Sequence, residues 1–211
     1  MKTLDELVEK NSPAWNVIKT WFKTAKNQYE ILSPDVENAG KELVGMQLST
    51  ATPLGTMIFY TGGVLIDYGW LRILGSGNEQ LPRGFFDWNF GKTFEESGER
   101  PFHLLIADDV IGGYFAINGG GLGDQVGLVY YYHPKKLKWE SIGLNYSQFL
   151  GWALNTDLES FYQNLRWNGW QNDIKQIKGH QVIQLETKAI QPIERHYQNI
   201  FAPENLGYSV N

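Results

Sequence analysis

Aspartates set among glycines can hold a divalent cation or move a proton, and residues 104–134 carry such a stretch, "LLIADDVIGGYFAINGGGLGDQVGLVYYYHP". Asp108, Asp109 and Asp124 would offer oxygen ligands if the loops brought them together. The competing reading makes them turn formers, because aspartate bonds its own backbone and glycine accepts positive φ. Phosphate binding meets a spacing test. Gly121, Gly123 and Gly127 give G-x-G-x-x-x-G followed by the strand-like "LVYYY", where a dinucleotide loop needs G-x-G-x-x-G opening a helix. There is no G-K-[ST] either, so hairpin turns are the better account of these glycines.

The other reactive side chains are no better arranged. His103, His133, His180 and His196 lack H-E-x-x-H or any close metal-ligand spacing. The "GSG" at 75–77 runs into a polar loop, which is not the strand-to-helix elbow of a serine nucleophile. Cysteine is absent, which removes disulfides, thiolate catalysis and cysteine-bound metal. No catalytic residue, metal ligand or cofactor site is therefore assigned. A metal-dependent enzyme or small-ligand binder using Asp108, Asp109 and Asp124 stands as the alternative, beside a structural homo-oligomer. The unusual resource is aromatic: 14% of residues, with eight tryptophans. A core of this size does not need them all, and surplus rings suit a contact surface.

These residues need elements to position them. "NSPAWNVIKTWFKTA" reads as a helix with Ser12 as N-cap and Pro13 in the first turn, its apolar residues recurring at three- and four-residue steps. "ELVGMQLST", residues 42–50, leans toward strand. "TPLGTMIFYTGG" repeats the start signal at Thr52-Pro53 and closes on Gly62-Gly63, expected to end the helix in the left-handed conformation. "VLIDYGWLRILGSG" reads as strand, turn and strand. Residues 76–101 form a long irregular connection whose rings hold it down. "FHLLIADD", "GGYFAING", "GLVYYYHP" and "LKWESI" make an antiparallel meander. "NYSQFLGWALN" is a helix capped by Asn145 with Gln148, and "TDLESFYQNLRW" another with a Thr156–Glu159 capping box. Beyond a strand near Val182–Leu185 the tail loses clear periodicity.

A chain of 211 residues at net charge −5 fits one domain and gives no basic footprint for nucleic acid. The polar start "MKTLDELVEKNSPAW" lacks the apolar run of a signal peptide, and no run reaches the ~20 positions that span a bilayer. A cytoplasmic chain without nucleic-acid or membrane partners is expected.

The order of helix, "TGGVLI", "GWLRILG", "LLIADDVIGGYFAIN", "GLVYYYHP", "LKWESIG" and "YSQFLGWAL" resembles the SUKH superfamily. Matching positions are Gly62 and Gly63, Ala107 to Gly113 with Phe115, Val129 to Tyr132, and Ser147, Phe149 and Leu150. The resemblance spans about Pro53 to Leu154; "TPLGTMIFYTGGVLIDYGWLRILGSG" and "LRWNGW" look like an uncharacterised bacterial branch. It implies an α+β fold, a mostly antiparallel mixed sheet of about six strands with helices packed against it. The expected organisation is a single domain over 1–211, with a SUKH-like core over about 12–155 and a C-terminal extension over about 156–211. The implied role is protein binding rather than catalysis, of the kind by which immunity proteins neutralise bacterial toxin domains, with a homodimer as another arrangement. Asp67, Trp70, Asp108, Asp109, Asp124, Tyr131 and Trp170 are the candidate contact residues.

Overall fold

The computed structural model describes residues 1–201. Its elements run α1 (Leu4–Leu7), α2 (Pro13–Lys23), β1 (Tyr29–Leu32), α3 (Val36–Met46), α4 (Pro53–Tyr60), β2 (Gly63–Ile66) and β3 (Leu71–Leu74). They continue through α5 (Phe85–Asn89), β4 (His103–Asp109), β5 (Tyr114–Asn118), β6 (Val129–His133), β7 (Lys138–Ser141), α6 (Tyr146–Asn155) and α7 (Leu158–Phe161). The last are α8 (Trp170–Ile174), β8 (Gln181–Ile183), β9 (Ile190–Pro192) and α9 (Ile193–Phe201).

β1 to β7 pair in sequence order as one seven-stranded antiparallel sheet, and β8 pairs with β9 as a separate hairpin. The class is α+β, as expected, with one strand more than anticipated in the main sheet. The added strand is β1, "YEIL", whose four residues fall below the length at which alternation stands out.

Strand alternation gives the sheet two unlike faces. On one, Phe115 meets Phe149 and Trp152 of α6 and Phe161 of α7, while α2 and α4 pack beside α6. On the other, Tyr114 and Tyr132 meet Phe201 of α9, and Tyr114 also touches His196 and Tyr197. A single buried apolar cluster includes side chains from Leu7 to Tyr197. The C-terminal extension is thus part of the core. Between Leu105 and Ala107 a bulge shifts the register of β4 against β5. That shift sets Asp108 beside Tyr114 on one face and leaves Asp109 with Phe115 and Tyr131 on the other.

Several local expectations change. Residues 42–46 belong to α3, not a strand: Asp35 caps that helix by accepting from Asn38 N–H, and Gln47 ends it at φ 52°. Glycine within "ELVGM" obscured the helical period. α4 ends on extended Thr61, and Gly63 lies inside β2 at φ 130°, where a Cβ would meet Leu81 at 2.6 Å. Asp157, not Thr156, caps α7, its side chain accepting from Ser160 N–H at 3.1 Å. The tail read as aperiodic contains α9, whose Ile193 and Tyr197 lie on one buried stripe.

Candidate functional site

The acids that looked most reactive are interior structure. Asp108 accepts from Arg72 Nε at 2.6 Å and lies 2.5 Å from Arg72 Nη2, and its second oxygen accepts from Arg83 Nη1 at 2.6 Å. Both arginines reach further. Arg72 Nη1 donates to the Gln181 carbonyl at 2.7 Å and Arg83 Nη2 to the Gly179 carbonyl at 2.8 Å. The cluster therefore fastens the segment leading into β8 onto the sheet, using charge-assisted bonds sheltered from water.

Asp109 sits on the opposite face and accepts from Tyr131 Oη and Gly113 N–H, each at 2.7 Å, and from Ile111 N–H at 3.2 Å. Burial pushes its carboxyl up to about 6 despite those bonds. A Cβ at Gly113 would come within 2.4 Å of Asp109 Oδ2 and 2.5 Å of Tyr131 Oη, which explains the second glycine of "IGGY". Gly113→Ala should cost about 1–3 kcal/mol through overpacking. Gly151→Ala, in α6 with no neighbour inside 4 Å, should instead gain about 0.5–1 kcal/mol of helix propensity. Urea unfolding of the two variants checks the contrast.

Asp67, Trp70 and Trp170 do come together, around a residue that motif reading passed over. The Arg166 guanidinium lies 4.8 Å from the Trp70 ring centroid and 4.1 Å from that of Trp170. It pairs with Asp67 and, at 2.8 Å, with Glu159. Its signal was an arginine inside "LRWNGW", framed by rings. Asp67 and Tyr68, at φ 54° and 62°, and Gly69, at φ 88°, lie in the four-residue turn that joins β2 to β3.

Trp70, Asp108, Asp109, Tyr131 and Trp170 are all buried, so they are not an exposed contact surface. The large rings were drawn into the core by the apolar area they cover, and the acids by their partners. Asp124 is exposed in the β5–β6 loop, away from the other two acids, and Asn118 organises that loop by accepting from Gly120 and Leu122 N–H. The three aspartates form no joint site. Among the described residues no group of three or more His, Cys, Asp or Glu stands close enough to hold a metal ion, and no helix is long and apolar enough to cross a membrane.

The two most voluminous depressions among the described residues lie on one face of the sheet. A cleft of about 660 Å³ lies over β1–β3, lined by Glu30, Leu65, Arg72, Glu79, Ile174, Lys175, Lys178 and the rim ring Tyr68. A larger groove of about 1100 Å³ lies at the other end of the same face. Its lining includes Tyr132, Trp139, Leu122 and Phe201, with Phe102 and Leu137 exposed at 73% and 63%. His103, also in the groove, is pushed down to about 4 by burial and is neutral at pH 7.

A family model described as "Protein of unknown function DUF2625" matches residues 4–200. An "Uncharacterized protein" of Haemophilus influenzae is 48% identical, with the whole of both chains covered. The "Putative uncharacterized protein YbfG" of Escherichia coli K12 is 44% identical over 82% of this chain and 79% of its own length. No solved structure matches the chain.

Proposed function

The chain belongs to the DUF2625 family, and from that premise we propose that it is a non-enzymatic, cytoplasmic protein-binding module of immunity-protein type. In this reading it neutralises a bacterial toxin domain by direct contact, as the SUKH-like order of its elements implies. The groove beside β6 and β7 carries the reading. Phe102 and Leu137 stand exposed at its rim while Trp139, Tyr132 and Phe201 line it, and contiguous exposed apolar surface of this kind marks contact sites.

The partner is a basic protein domain that inserts apolar side chains into the groove. The net charge of −5 steers such a partner inward. The one lysine lining the groove among the described residues, Lys138, does not oppose it strongly, because it pairs with Glu140 at 2.9 Å. Catalysis by Asp108 and Asp109 fits poorly, since both are closed off by their own partners.

The double variant Phe102→Ser/Leu137→Ser tests the reading. Both side chains are exposed, so unfolding should shift by no more than about 0.5 kcal/mol. Calorimetric titration against basic toxin domains encoded beside the protein's own gene should show affinity falling by about thirtyfold or more, the loss of a contact hot spot. Unchanged affinity in the variant would remove the groove from the account. The homo-oligomer alternative predicts a mass that rises with concentration in light scattering, and the proposal predicts a constant one.

A further inference from the structure

The cleft over β1–β3 has a different chemistry from the groove. Leu65 and Arg72 face it from the sheet, and Ile174 and Ile177 give it an apolar wall. Its charges are of both signs and come from separate parts of the fold. Glu30 lies on β1 and Glu79 on the connection after β3, whereas Lys175 and Lys178 belong to the segment after α8. None of the four joins an ion pair among the described residues. Glu30 takes only the neutral amide of Gln80, at 3.1 Å, and Lys175 only that of Asn172, at 3.3 Å.

Arg72 cannot serve as the anion receptor here, because Asp108 and two carbonyls already take its donors. The lysines are the free cations of the cleft. At its rim Tyr68 is 53% exposed on the positive-φ turn and edges onto Trp170, with ring centroids 6.4 Å apart.

We infer that this cleft is a binding site for a short zwitterionic peptide. The free amine lies toward Glu30 and Glu79, the apolar side chains lie on Leu65, Ile174 and Ile177, and the carboxylate lies toward Lys175 and Lys178. A volume of about 660 Å³ suits a ligand of that size. The inference is independent of the protein-binding groove.

The probes are the tripeptide Ala-Leu-Ala with free ends, its N-acetylated form and its C-amidated form, titrated calorimetrically into the full-length protein. The free tripeptide should bind saturably, and capping either end should weaken it by about tenfold, one lost charge interaction in a partly enclosed site. Glu30→Gln/Glu79→Gln should erase the penalty for acetylation and leave that for amidation; Lys175→Gln/Lys178→Gln should do the reverse. All four side chains are exposed, so melting temperature should hold. Phe102→Ser/Leu137→Ser should bind the tripeptide as the wild type does, which separates this site from the groove. No saturable heat at millimolar peptide, or equal affinity for free and doubly capped peptide, would overturn the inference.

Discussion

Asp108→Ala should lose about 3–5 kcal/mol of folding stability, because it strips the counter-charge from two buried arginines. Arg72 and Arg83 would then face each other in an interior where Asp108 alone bridges them by carboxylate oxygens. The loss should be local first. The arginines also hold the carbonyls of Gly179 and Gln181, so amide exchange should accelerate at Ile183 and Ile193, whose N–H groups bond Val110 and His180. Asp124→Ala, at an exposed loop residue, should stay within about 0.5 kcal/mol of the parent. Chemical denaturation with exchange mass spectrometry reads both effects. Equal, small losses in the two variants would mean that the buried cluster does not hold the C-terminal segment.

The second large effect is a pH dependence centred on Glu42. Its carboxylate is buried between α3 and α5 and accepts from the N–H groups of Phe86 and Asp87, capping a helix that has no side-chain cap of its own. Gly84 makes room for it: a Cβ there would meet Glu42 Oε1 at 1.9 Å. Burial pushes the carboxyl up to about 8, with Asp87 adding to the rise and the two N–H groups opposing it. The unfolded chain releases this proton near the ordinary 4.5. Between those values the folded state binds more protons than the unfolded one, so stability falls as pH rises. The drop across that window should be on the order of 4 kcal/mol, with Asp109 adding in the same direction between about 4 and about 6. Glu42→Gln should flatten most of the slope above pH 6, where Asp109 no longer contributes. A slope in Glu42→Gln identical to the parent's would remove Glu42 as its source.

Fold and site were legible to different depths. The meander could be read because "FHLLIADD", "GGYFAING" and "GLVYYYHP" are apolar runs of strand length between turn residues, and α6 because Asn145 and Gln148 form a capping box. β1 and α9 were missed: one is too short, and the other is amphipathic but follows Pro192 in a tail of mixed polarity. Five of the candidate contact residues, Trp70, Asp108, Asp109, Tyr131 and Trp170, are buried, and for one reason. Residue type marks Asp108 or Trp70 as unusual, yet only the tertiary partners decide whether an unusual residue is exposed. Arg72 and Arg83 pair with Asp108, and Arg166 with Asp67, each arginine distant in sequence from that acid. Phe102 and Leu137, which no motif singled out, remained at the surface.

The protein-binding reading meets its most direct test in site-specific photocrosslinking within the cells that make the protein. A benzophenone amino acid replaces Leu137 at the groove or, as a control, the exposed Val17 on α2. The account predicts one dominant protein adduct from position 137, absent from position 17 and suppressed by Phe102→Ser. No adduct from position 137, or the same adducts from both positions, would contradict it.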